Sequence, residues 1–306
     1  MNLIALLIGL IIERLATQLF HLRRLRWLDR IIDSGFGLAE RFANWPALIP
    51  VFLLAVVLVL PVFAITVSLG DALFGFPYLI LAVIVLFFSL GPKDIGEDVG
   101  EYCKALQADD DELIQQTARA IVEGDVPTDP RERIRAVEDA VCIQANNRLF
   151  AVVFWFVLLG PLGPLGAWAY RVTDLIRRRA VFNSGRNDSA AVSSTHVRDA
   201  SVMLHSWLAW IPARLTAIGY AAAGHFDAAL AAWRTPSENA AGTLSEHSEK
   251  LLARVGVGAL ALREEDDEDL TVRGVRGANA AIRLVFRLLL IWAVVISAMT
   301  LYGFSI

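Results

Sequence analysis

The chain has 306 residues, 56% of them hydrophobic, with a formal net charge of -4. Soluble domains sit nearer about 45–50% apolar, and the excess here is gathered into long runs, which identifies an integral membrane protein. No basic block with interleaved aromatics is present, which argues against nucleic acid as a partner. Cys103 and Cys142 make neither a disulfide framework nor a metal-ligand spacing and read as reduced residues facing the cytoplasm.

Residues 3–12 are apolar. No positive charge precedes them and no small-x-small cleavage site follows, so they read as a retained helix rather than a cleaved signal. They are short against the roughly 20 residues of a full span. The helix reaches further, over residues 3–20, only if Glu13 and Arg14 face protein, water or headgroups. Leu22, Leu25, Leu28, Ile31 and Ile32 then recur at helical spacing opposite Arg23, Arg24, Arg26, Asp29 and Arg30. That pattern suits a basic amphipathic helix on an anionic membrane surface or a solvated connecting helix.

Residues 46–69 carry no charge and begin beside Trp45, an interfacial anchor. Pro50 and Pro61 are tolerated if neighbours satisfy the freed carbonyls. A tight turn at 68–71 leads to a return span over 72–91, completing a helical hairpin. Residues 92–148 are polar, with helical patterns broken near Gly124 and restarted at Pro127 and Pro130.

Residues 149–159 are apolar again, but Gly160, Pro161, Gly163, Pro164 and Gly166 interrupt them, and proline at this density ends a continuous helix. A second short helix is expected over 167–179. Arg177, Arg178 and Arg179 belong on the cytoplasmic side by the positive-inside bias. A re-entrant or broken helix pair over 149–179 keeps both flanks there.

Residues 183–195 read as a loop. Residues 202–224 form an amphipathic helix broken near Pro212, and 226–233 a shorter one. The acidic run 264–269 reads as a solvated loop. Arg283 and Arg287 mark the cytoplasmic end of a last span over 284–302. The fold class is therefore all-α: a polytopic helical bundle forming a single membrane domain. It has four crossings (3–20, 46–69, 72–91 and 284–302) and one re-entrant element. The segments 92–148 and 180–283 lie in the cytoplasm, and both termini lie outside it.

Three groups of residues can carry chemistry. Asp94, Glu97, Asp98 and Glu101 share one helical face. They can hold Mg²⁺ with a phosphate ligand, or simply complement a helix dipole. Glu13 and Arg14, at membrane depth, are candidates for an anion site or for headgroup anchoring. Asn146, Asn147 and Arg148 place a forked guanidinium beside two amides. No G-x-x-x-x-G-K-[ST] is present, so there is no ordinary P-loop, and neither G-x-S-x-G nor H-E-x-x-H occurs. The five histidines are dispersed, and no pair of them has ligand spacing.

Several ordered segments together resemble the AmpE family, bacterial inner-membrane proteins associated with induction of chromosomal β-lactamase. They are the opening Ile11-Ile12-Glu13-Arg14-Leu15, residues 146–155 (Asn-Asn-Arg-Leu-Phe-Ala-Val-Val-Phe-Trp), residues 163–171 (Gly-Pro-Leu-Gly-Ala-Trp-Ala-Tyr-Arg) and residues 210–215 (Trp-Ile-Pro-Ala-Arg-Leu). The same segments are more distantly similar to cobinamide-phosphate synthase, a cobalamin-pathway membrane enzyme that uses ATP. That enzyme's Glu-Asn-x-x-Asp-Gly pattern is replaced here by Ile143, Gln144, Asn147 and Arg148. Without its acids, the resemblance points to a regulatory membrane protein rather than to an amide-forming enzyme, the alternative. It implies a bacterial inner-membrane location and a pocket at the cytoplasmic face formed by Glu13, Arg14, Asp94, Glu101, Asn146, Arg148, Tyr170 and Arg214. The ligand expected there is anionic, a nucleotide (with Mg²⁺ by resemblance) or a cell-wall fragment, and the lipid bilayer is the other partner. A scaffold with no small-molecule site is the blander alternative.

Overall fold

A computed structural model describes residues 25–41, 45–69, 75–90, 94–184, 191–235, 242–262 and 268–302. Among them the regular structure is helical, with no strand. The expected first span at 3–20, with Glu13 and Arg14, lies outside the described residues.

In chain order the α-helices are α1 (Arg26–Arg41), α2 (Leu48–Ser68), α3 (Phe76–Ser89), α4 (Ile95–Ala108), α5 (Asp111–Ile121) and α6 (Pro130–Ala145). A π turn (Asn146–Phe150) joins α6 to α7 (Ala151–Leu158). A 3-10 turn (Gly160–Leu162) then leads to α8 (Gly163–Ser184). The remainder are α9 (Ala191–Ala223), α10 (Phe226–Arg234), α11 (Leu244–Leu260) and α12 (Leu270–Leu301). Among the described residues, three stretches are long and apolar enough to cross a membrane: Leu48–Ser68, Pro130–Leu158 and Leu270–Leu301. Phe76–Ser89 is apolar but shorter.

The helix starts follow local chemistry. Asp94 caps α4 by accepting from the Gly96 N–H at 3.0 Å, and Asp129 caps α6 by accepting from Glu132 N–H at 2.9 Å. Pro130 and Pro164 sit in first turns, where a missing N–H costs no helical bond. This is why α8 begins four residues before the expected 167. It also runs on to Ser184, so the 183–195 loop is shorter than the sequence suggested.

Pro212 does not break α9. Its ring removes the N–H that would bond the Leu208 carbonyl, and the Trp155 indole N–H donates to that carbonyl at 3.0 Å instead. Beside Pro61 in α2, the Trp168 indole donates to the Leu58 carbonyl at 3.0 Å. In both helices a neighbouring tryptophan satisfies a carbonyl near the proline.

α7 and α8 form an antiparallel hairpin. A Cβ at Gly166 would lie 2.6 Å from the Trp155 carbonyl oxygen, and one at Gly163 would strike that of Phe156. Glycine lets the two backbones touch, and Gly160 supplies the positive φ of 54° at the turn. Further down, Tyr170 meets Asn147 and Arg178 meets Gln144.

Three apolar clusters result. One joins α4, α5, α6, α9, α11 and α12. The second joins α1, α2, α8 and α9. The third joins α3, α7, α8, α9 and α12. Helix α8 supplies Val172 and Ile176 to the second and Tyr170 to the third. Its remaining face is polar, with Arg177 and Arg178 reaching Glu123 after α5 and Arg178 reaching Gln144 of α6.

Candidate functional site

The site begins at the π turn. The Ala151 N–H reaches back to the Asn146 carbonyl, five residues away, instead of four. Such a turn widens the helix and recurs at functional sites. Here Asn146, Asn147 and Arg148 are all buried. Asn146 Oδ1 accepts from Thr216 Oγ1 at 3.0 Å, and its Nδ2 donates to Asn147 Oδ1 at 3.1 Å. The Tyr170 hydroxyl donates to the same Asn147 oxygen at 3.5 Å. The Tyr170 ring lies 5.1 Å from that of His205 on α9.

Arg148 spends its guanidinium on three acceptors: Gln144 Oε1 at 2.9 Å, Asp98 Oδ2 at 2.9 Å and the Ala120 carbonyl at 3.3 Å. Gln144 Oε1 also accepts from Arg178 at 3.2 Å, which links the π turn to α8. There Asp174, fully buried, accepts from Arg171 (2.8 Å), Arg177 (2.9 Å) and Arg178 (2.9 Å). Arg177 and Arg178 also hold the two oxygens of Glu123, at 2.9 and 2.8 Å.

Four guanidiniums (Arg148, Arg171, Arg177, Arg178) thus face three carboxylates (Asp98, Glu123, Asp174). Burial alone would push the Glu123 carboxyl up. Arg178 and Arg177 more than reverse this and hold it at about 2. Glu249 of α11 acts on Arg177 from further out, but burial pushes its own carboxyl up toward the neutral form. The Nε atoms of Arg171 and Arg177 and Nδ1 of His205 are buried without a hydrogen-bond partner. A buried group of this kind costs about 1–3 kcal/mol unless something satisfies it. Positive charge in excess of paired carboxylate, with spare donors, is the chemistry of anion binding.

The structure brings together Asn146, Arg148 and Tyr170 of the residues expected from sequence. The four acids of α4 do not converge: Asp94 is the helix cap, Asp98 pairs with Arg148, and Glu97 and Glu101 are exposed. Among the described residues no group of three His, Cys, Asp or Glu is placed to hold a metal ion. Arg214 lies apart. Its guanidinium stacks 3.9 Å over the Trp210 ring and donates to the Trp210 carbonyl at 3.0 Å. Sequence reasoning missed Glu123, Gln144, Arg171, Asp174 and His205 as site residues. It treated Arg177 and Arg178 as topology markers only. One signal was available. Arg171, Arg177 and Arg178 stand at -3, +3 and +4 from Asp174, so one helical face carries three guanidiniums around one acid.

A family model described as "Regulatory signalling modulator protein AmpE" matches residues 1–306. Protein AmpE of Shigella flexneri is 25% identical over 99% of both chains. Two relatives named cobalamin biosynthesis protein CobD also match. The one from Stutzerimonas stutzeri is 26% identical over 50% of this chain. The one from Chromobacterium violaceum is 27% identical over 59% of it. The matched region spans about half the length of these two relatives, 48% and 57%. No solved structure matches the chain significantly. With the all-α membrane architecture and a family match along the whole sequence, the chain belongs to the AmpE family of regulatory signalling modulators.

Proposed function

We propose that this chain is a multi-pass inner-membrane regulator that binds an anionic ligand at its cytoplasmic face and so modulates β-lactamase induction and the response to cell-wall stress. The observation that carries this reading is the imbalance in the cluster around Asp174, where four guanidiniums, three of them buried, meet three carboxylates and two Nε donors lack partners. A phosphate or carboxylate of a nucleotide or cell-wall fragment supplies the missing charge and acceptors. The basic segments then lie in the cytoplasm and both termini outside it.

The test compares purified wild type with Arg177→Gln and Arg171→Gln. Thermal stabilisation by ATP, UDP and an anhydromuramyl peptide is measured beside β-lactamase induction in cells. At least one anion is expected to stabilise the wild type and neither variant, and both variants are expected to lose induction. Unchanged induction in properly inserted variants sinks the reading.

A second reading, an ATP-dependent amide-forming enzyme, is favoured by the similarity to the two CobD proteins. Against it stands Asn147, whose neutral amide occupies the position of the synthase pattern's aspartate and accepts two hydrogen bonds. Restored corrinoid synthesis in a strain lacking the synthase would revive it.

A further inference from the structure

Helix α9 changes character along its length. Thr195, His196, Arg198 and Asp199 make its early exposed surface. From Met203 onward the exposed face is apolar: Met203, Trp207, Trp210, Ile211, Leu215 and Ile218, the last at 57% exposure. The stripe follows helical spacing and, over 203–218, is about 22 Å long at 1.5 Å per residue. The opposite face carries His205, Ser206 and Thr216, all buried. These polar inward residues, together with Arg214 on the outer side, leave α9 outside the helices apolar enough to cross a membrane by mean hydropathy.

An exposed apolar band of this size on a monomer marks an interaction surface. What covers it follows from its neighbour. Leu204 and Leu208 of α9 form one wall of a 490 Å³ groove whose other wall is Phe52, Val56 and Phe63 of α2, with Leu165 of α8 at its base. Phe52, Val56 and Phe63 are also exposed, on a helix apolar enough to cross the membrane. The stripe is therefore continuous, through the groove, with a bilayer-facing surface. Trp207, Trp210 and Arg214 are residue types that settle at the headgroup boundary. The Arg214 guanidinium folds back over Trp210, so its charge is covered by its own helix.

We infer that residues 203–218 of α9 are membrane-embedded rather than part of a cytoplasmic segment, and that the groove between α2, α8 and α9 seats a hydrocarbon chain of the bilayer. Lipid then covers the outer face of α9, while His205 and Thr216 on its inner face stay buried in the protein.

The full chain is reconstituted in phosphatidylethanolamine–phosphatidylglycerol vesicles with a spin label at Ile211→Cys, Ile218→Cys or Leu60→Cys. The unsubstituted protein sets the background from the buried Cys103 and Cys142. Collision with oxygen is expected to exceed collision with nickel-EDDA several-fold at all three sites, and the reverse is expected at His196→Cys. Greater nickel access at Ile211 and Ile218 overturns the inference. So does low access to both reagents, which means that a second copy or the chain before Leu25 covers the surface. A second measurement avoids new cysteines. Brominated acyl chains should quench a larger fraction of tryptophan fluorescence in wild type than in the Trp207→Phe/Trp210→Phe variant, and equal fractions count against it.

Discussion

Arg273 and Arg177 are both held against buried carboxylates, yet their surroundings differ in a way that separates scaffold from site. Arg273 of α12 meets Glu138 of α6 as one fork on one carboxylate, at 2.5 and 3.3 Å. The pair lies over Gly277, where a Cβ would collide with the Glu138 oxygen. Each charge has its opposite and the backbone was shaped to admit them. Around Asp174 the guanidiniums outnumber the carboxylates and donors are left over. A balanced pair specifies packing. An unbalanced cluster is held because several partners share each acid, and its spare donors are what the proposed anion would engage.

The largest expected effect is therefore at the shared acid. Asp174→Asn leaves three guanidiniums around a neutral amide and should cost about 3–5 kcal/mol. Thermal unfolding in detergent measures it. A loss no larger than that of Glu138→Gln would mean that the two regions hold their charges alike. Next comes Gly277→Ala, which forces Glu138 or Arg273 to move and should cost about 1–3 kcal/mol. If it also abolished the anion response of the wild type, the two regions would be one coupled unit.

The acid limb of the stability profile gives a smaller effect. Glu123 is held at about 2 in the folded protein, against about 4.3 unfolded. Its contribution is fully present above the unfolded value and fades as pH falls toward 2. Glu123→Gln should thus lower the melting temperature at pH 7 and flatten its decline between pH 5 and pH 2. An unaltered slope would mean that Glu123 is not ionically engaged. The smallest effect is at Arg179, which pairs with Asp33 at 2.5 Å near the surface. Arg179→Ala should cost about 0.2–1 kcal/mol, and less in high salt.

Long uncharged runs announced α2 and the apolar end of α12, because a lipid-facing surface needs no inward polar residues to complicate the pattern. The interruption at Gly160–Gly166 announced the α7–α8 hairpin for a similar reason: glycine and proline act locally. Arg148 and Tyr170 could be singled out from the residues and the family resemblance. Their partners could not. Asp98 stands 50 residues from Arg148, and Glu123 stands 54 from Arg177, so their union is a product of tertiary packing. Helix α9 was legible over 202–224 as an amphipathic helix, but its continuity through Pro212 was not, because the Trp155 indole that takes the freed Leu208 carbonyl comes from a distant segment.

The π turn at Asn146–Phe150 also sets a phase. One residue more than an α-helical turn requires rotates everything after it by roughly 100° relative to everything before. Ahead of it, α6 is keyed to its neighbours by Glu138 to Arg273 and by the Cys142 carbonyl to the Tyr220 hydroxyl. Beyond it, α7 is keyed by the Trp155 indole to the Leu208 carbonyl. Deleting a single residue within the turn would restore a regular helix and swing Trp155 off that carbonyl. The rod would stay straight, but its two ends could no longer fit their partners at the same time.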